Sequence, residues 1–140
     1  MALLLAIETT TRNCSVALFH NNTLIQLKEK TYEEYSHAEL LTLFIQEVIE
    51  NANIGLQALD CIVLSEGPGS YTGLRIGAST AKGLCYALNI PLVSVSTLKI
   101  MISGILKKAE YKYYCPMIDA RRMEVFSLVA DKDNNEVRKI

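Results

Sequence analysis

This 140-residue sequence has no strongly basic half, no closely spaced cysteine pair and no long apolar run. Each absence excludes a class of function. Fourteen Lys+Arg stand against fifteen Asp+Glu, a formal charge of −1. Residues 1–106 hold six basic and nine acidic side chains, and residues 107–140 eight and six. A non-specific grip on nucleic acid needs a dense cationic surface, so strong binding of RNA or DNA by this chain alone is not expected. Cys14, Cys61, Cys85 and Cys115 form no C-x-x-C motif, and two of them sit in Cys61-Ile62-Val63 and Leu84-Cys85. They read as small buried hydrophobes of a reducing cytosol rather than redox or metal ligands. The apolar start Ala2–Ile7 has no basic residue ahead of it and meets Glu8 at once. That is too short for a signal peptide or a membrane span, so a cytoplasmic protein with no membrane partner is expected. His20 and His37 belong to no H-x-x-x-H pair, and no Ser/His/Asp or Cys/His set stands out by spacing.

What is present suits a folded core: 50% hydrophobic and 21% charged residues. Leu3–Ile7 and Ser15–Phe19 read as buried strands, and Thr23–Lys30 as a weaker third. Asn21-Asn22 between the last two tolerates positive φ and suggests a hairpin. Ser36-His37-Ala38-Glu39 matches a capping box, with His37 on the first-turn surface. Behind it, Leu40, Leu41, Phe44, Ile45, Val48 and Ile49 fall on one helical stripe ended by Asn53 and Gly55. Leu59–Ser65 predicts a strand, Gly67–Ser70 a tight loop, and Tyr71 to about Asn89 a helix stopped by Pro91. Leu92–Val95 is a short strand, and Ser96 or Thr97 caps a helix to about Lys107. Tyr114–Ile118 and Glu124–Ala130 predict strands flanking Asp119-Ala120-Arg121-Arg122, and the last ten residues a polar turn and a fraying end. Three strands before the first crossover helix, then alternation, predict an α/β fold with a mixed sheet covered by helices. Residues 1–108 read as a complete domain and 109–140 as the opening hairpin of a second, incomplete one.

The strongest local signal is Gly67-Pro68-Gly69-Ser70-Tyr71-Thr72-Gly73-Leu74-Arg75-Ile76-Gly77. It follows a strand and opens a helix, where free amides and the helix dipole favour anions. It matches neither the dinucleotide fingerprint, which would need glycine at Thr72, nor a P-loop, whose lysine is missing. A phosphate-facing loop and a structural turn both remain open. Gly73, Gly77 and Ala81 clear one helical face of bulk, either for packing inside the domain or for a partner helix. The Leu40–Ile49 stripe poses the same choice between core and interface. Glu8-Thr9-Thr10-Thr11 is either an ordinary turn or a place for a hydrated metal and a phosphate.

Leu5-Ala6-Ile7-Glu8-Thr9-Thr10-Thr11, followed by Cys14-Ser15-Val16-Ala17-Leu18, resembles the opening of the TsaB (YeaZ) family. The Gly67–Gly77 loop is similar to that family's signature almost letter for letter. Ser36–Leu41 and Ile118–Val125 resemble two further family blocks. The resemblance implies a ribonuclease-H-like, actin-like fold and a non-catalytic part in bacterial tRNA threonylcarbamoyladenosine synthesis. It implies a TsaD homologue as partner, a TsaE ATPase homologue, a homodimer when alone, and tRNA met only through the complex. Two histidines four apart hold the metal in TsaD-like relatives, and Thr97 and Met101 align with them here. No catalytic residue and no metal ligand are therefore expected.

The resemblance also implies an interface on the first two helices, through Leu40, Leu41, Phe44, Ile45, Val48, Gly73, Leu74, Gly77 and Ala81. For nucleotide it points weakly to Glu8, Thr9, Thr10, Gly67, Pro68, Gly69 and Ser70, with ATP or ADP at the partner interface and no resident cofactor. Glu8 stands where the family carries Asp, which lengthens the carboxylate arm by one methylene. The competing readings are an actin-like phosphotransferase and a metallopeptidase of the older glycoprotease label.

Overall fold

The computed structural model describes residues 2–31, 37–106, 108 and 110–139. The chain opens as an antiparallel meander of β1 (Leu3–Glu8), β2 (Asn13–His20) and β3 (Thr23–Thr31). Asn21 and Asn22 take φ of 48° and 66°, the left-handed pair that a two-residue hairpin needs to match strand twist. Helix α1 (His37–Asn51) then crosses over to β4 (Cys61–Ser65), which lies parallel to β1. Helix α2 (Tyr71–Leu88) leads to β5 (Leu92–Val95), parallel to β4, and α3 (Thr97–Leu106) follows. The mixed sheet has the order β3-β2-β1-β4-β5.

The helix limits follow from local chemistry. Ser36 of the capping box lies outside the described residues; Glu39 occupies the first turn of α1, and Asn53, at φ 54°, stands just past its end. Ser70 caps α2 by accepting from the Gly73 N–H (3.3 Å), and Asn89 closes it in a left-handed conformation, its N–H donating to Cys85 O. A 3-10 turn at Leu56–Ala58 delays β4 to Cys61, two residues later than its apolar run suggests. The Leu59 N–H is taken by Leu56 O in that turn (3.1 Å) and cannot join the ladder.

Pairing puts Leu5 beside Leu18 and Ile62, and Ile7 beside Val16 and Leu64, so one face of the sheet is continuously aliphatic. Leu41, Phe44, Ile45, Val48 and Ile49 of α1 and Ala81 and Cys85 of α2 bury against it. Each such side chain contributes about 1.5–3 kcal/mol by leaving water. The α1 stripe is therefore core.

A second sheet follows: β6 (Tyr113–Tyr114), β7 (Met117–Arg121), β8 (Glu124–Asp131) and β9 (Glu136–Lys139), with β8 pairing to all three others. It corrects the sequence reading twice. The predicted strand Tyr114–Ile118 is split at Cys115-Pro116, where proline has no N–H for a ladder. The predicted fraying end contains β9, because Asp131 folds the turn tightly enough to return the chain. Its carboxylate accepts from the amides of Asp133 and Asn135, both at 2.9 Å. Leu98 and Ile102 of α3 pack on Tyr114, Leu128 and Ala130 in a smaller core. Among the described residues, no helix is long and apolar enough to cross a membrane.

Candidate functional site

The turn after β1 and the glycine loop lie directly on each other. The Ser70 N–H donates to Thr10 O at 2.7 Å, and Thr9 Oγ1 donates to the Gly73 carbonyl at 2.7 Å. Glu8 curls back on its own turn, accepting from the Thr10 amide (2.6 Å) and from the Thr10 hydroxyl. Thr9 and Thr10 are buried at 1% and 2% exposure. The structure thus gathers Glu8, Thr9, Thr10, Gly69 and Ser70, with the Thr9 hydroxyl and the Ser70 amide fastening α2 to β1 and the Thr10 amide and hydroxyl held by Glu8. A Cβ at Gly69 would stand 2.5 Å from Thr10 O, so this glycine serves close approach of two backbones. Of the two readings left open by spacing, the geometry supports the structural turn.

Gly67 and Pro68 belong to the other side of the loop. Gly67, at φ 105°, gives its carbonyl to the Thr97 N–H (2.9 Å) and so ties the loop to the start of α3. Pro68 borders a hollow of about 500 Å³ with Glu66, Ser94, Ser96 and Lys99, in which the Ser94 hydroxyl donates to Glu66.

The structure places most of the candidate interface residues inside the chain. Leu41, Phe44, Ile45 and Val48 are 1–6% exposed, and Leu40 packs on the same core. Gly73, Gly77 and Ala81 form the buried face of α2, where a Cβ on Gly73 would sit 2.0 Å from Thr9 O. Leu74 is half-buried, its methyls beneath Gly67. The small-residue face is occupied from within. What α1 and α2 present outward is different: Leu43 (52% exposed), Tyr71, Tyr86 (90%) and a shallow apolar groove. Thr42, Ile45, Gln46, Ile49, Thr80 and Leu84 line that groove, which encloses about 380 Å³.

A hollow of about 640 Å³ opens between the β1–β2 turn, the N-terminus of α2 and the β7–β8 hairpin. Arg12, Tyr71, Asp119 and Arg121 line it along with Thr10 and Ser70. Sequence reasoning placed none of those first four in a site, since Arg12 and Arg121 are separated by more than a hundred residues and meet only through folding.

Cys14 stands behind Glu8 on β2. Burial first, and the Glu8 charge second, push its thiol up to about 11 from 9.0. An unfolded chain ionises that thiol above pH 9 while the folded one keeps its proton. The contribution to stability is therefore complete below pH 9 and drains away between about 9 and 11. Urea midpoints measured from pH 8.5 to 11 are expected to fall more steeply for the native sequence than for Cys14→Ala. Equal slopes would remove Cys14 from the alkaline transition.

Residues 31–139 match the family model described as "TsaD: tRNA N6-adenosine threonylcarbamoyltransferase". The tRNA threonylcarbamoyladenosine biosynthesis protein TsaB of Escherichia coli is 33% identical over 134 residues, 96% of this chain and 57% of that protein. TsaB of Haemophilus influenzae is 32% identical over 88% of this chain and 51% of its own length. The structure of YeaZ from Pseudomonas aeruginosa superimposes with a TM-score of 0.87 at 30% identity, covering all of this chain and 64% of that one. The chain belongs to the TsaB (YeaZ) family. It spans about half the length of the curated TsaB proteins it matches. Its sheet and helices are the actin-like, ribonuclease-H-like fold that the sequence resemblance implied. At the head of α3 this TsaB-family chain carries Thr97, buried with a hydroxyl that bonds to no described residue, and Met101, 40% exposed. A hydroxyl and a thioether do not make the imidazole pair that borderline divalent metals favour.

Proposed function

We propose that this chain serves tRNA threonylcarbamoyladenosine biosynthesis as a non-catalytic subunit that docks on a TsaD-type transferase and activates it. What supports this reading is the chemistry at α3, where Thr97 and Met101, the positions that the family resemblance aligns with the transferase's metal-holding histidines, offer a hydroxyl and a thioether. The turn after β1 supports it, because Glu8, Thr9 and Thr10 spend their polar groups on holding the fold. The outward faces of α1 and α2 supply the docking surface, with Leu43 and Tyr86 exposed on them and the apolar groove between the two helices. Residues 109–140, on this reading, open a second domain of the same kind.

The test is co-purification with a TsaD homologue, then tRNA modification with and without this chain. Modification is expected to depend on its presence. Leu43→Asp, at an exposed position, is expected to weaken association about tenfold or more while leaving the melting temperature unchanged. Group transfer by the chain alone, or full modification without it, would overturn the reading.

A further inference from the structure

The cleft between the β1–β2 turn, the start of α2 and the β7–β8 hairpin combines cations with a stacking surface. Arg12, from the turn after β1, and Arg121, from the β7–β8 hairpin, both line it, and both are exposed. Among the described residues neither guanidinium is paired with a carboxylate. Asp119, the acid in the lining, is turned to the backbone and accepts from the Arg121 N–H at 2.7 Å. That bond helps hold the left-handed run Arg121–Met123 that presents Arg121 to the cleft. Glu124 lies opposite Arg121 in the hairpin register and moderates the local charge without cancelling it. The first turn of α2, capped by Ser70, adds its partial positive charge. Tyr71 stands at the mouth, 73% exposed. The Arg75 guanidinium lies 5.5 Å from its ring centroid and donates to its hydroxyl at 3.4 Å. Three of the chain's five arginines thus attend one aromatic ring and one cleft.

We propose that this cleft receives a backbone phosphate of RNA between Arg12 and Arg121, with a neighbouring unpaired base laid on Tyr71. Planar guanidinium forks fit phosphate oxygens, and base stacking on an exposed aromatic side chain is the usual companion of such contacts. A free mononucleotide presents the same phosphate chemistry, but the cleft lacks a polyphosphate cradle. Thr9 and Thr10 have committed their hydroxyls, and the Cβ side of Gly69 lies against Thr10. The inference deepens the proposed function, on which it rests for the identity of the RNA as tRNA: the substrate then touches this subunit directly. With few cations and a net charge of −1, binding by the chain alone is weak, with Kd about 10 to 100 μM.

Fluorescence anisotropy of labelled unmodified tRNA across a salt series, with the whole chain and no transferase, tests this. Arg12→Gln combined with Arg121→Gln is expected to weaken binding about tenfold and to reduce the slope of log K against log salt by roughly one, as loss of a single phosphate contact requires. Tyr71→Ala is expected to weaken binding of a single-stranded oligonucleotide about tenfold and leave the slope unchanged. Native affinity and slope in the double variant would overturn the inference. So would displacement of tRNA by ATP at matching concentrations, which would assign the cleft to a mononucleotide. Since no transferase is present, failed activation with intact RNA binding sinks the docking reading alone. Intact activation with RNA binding indifferent to the arginines sinks this inference alone.

Discussion

Gly73→Ala is expected to destabilise the protein by about 3 kcal/mol or more and to leave little of it soluble. The added methyl would stand 2.0 Å from the carbonyl oxygen of Thr9 and 3.2 Å from its carbonyl carbon, both backbone atoms that no rotamer change can move. Relief would require α2 to lift from the end of β1. That would break the bond from Thr9 Oγ1 to Gly73 O and pull on the one from the Ser70 amide to Thr10 O. Gly77→Leu is expected to act in the same direction, since even a Cβ there meets Thr9 Oγ1 at 2.5 Å and a Leu64 methyl at 3.1 Å. It reports on folding, not on partner affinity. Urea denaturation of Gly73→Ala beside Gly83→Ala is the measurement, because a Cβ at Gly83 meets nothing within 4 Å. Gly83→Ala is expected to be neutral or to stabilise by up to about 1 kcal/mol. Similar midpoints for the two variants would show that α2 does not need its close seat on β1.

Leu5→Ala is the second large effect, with an expected loss of about 3 to 4 kcal/mol. Leu5 is fully buried on β1, the strand that pairs with β2 on one side and β4 on the other. Its neighbours in the ladder, Leu18 and Ile62, also have zero exposure, and the backbone ladder holds them apart, so the site cannot close over the missing atoms. Thermal or urea unfolding reads the loss. A cost below about 1.5 kcal/mol would mean that α1 settles into the space. Leu43→Ala on the outer surface of α1 serves as the contrast, expected within about 0.5 kcal/mol of the native chain.

These variants show where sequence was informative. Element type was legible wherever one local rule acted alone. Asn21-Asn22 announced the hairpin, the Leu40–Ile49 stripe announced α1, and the Gly67–Ser70 loop announced a strand-to-helix turn. What local rules could not reveal was direction. A smooth face at Gly73, Gly77 and Ala81 suits an inner strand as well as an outer helix, and only the closeness of Thr9 decides between them. The Glu8–Thr10 cluster was seen as a group, but its hydroxyls and carboxylate were not seen to satisfy one another. β9 was hidden because Glu136–Lys139 is polar and short, and its pairing depends on an Asp131 turn that polarity alone does not specify. The arginine-lined cleft was the least visible feature, since its walls come from the turn after β1, the start of α2 and the β7–β8 hairpin.

The meander leaves β3 as an outer strand of nine residues whose far side pairs with no described strand. Its two halves differ. Leu24, Ile25 and Leu27 are each close to half exposed, whereas Lys28, Glu29 and Lys30 crowd the other end. A bare strand margin recruits other chains unless charge or distortion repels them. Only that charged end is armed here, together with a register shift opposite Leu18 and Phe19. Acetylation of Lys28 and Lys30 is therefore expected to promote self-association along this margin, and at Lys28 it would also weaken the hold on Glu47 and on the Phe44 ring, which lies 5.6 Å from its ammonium.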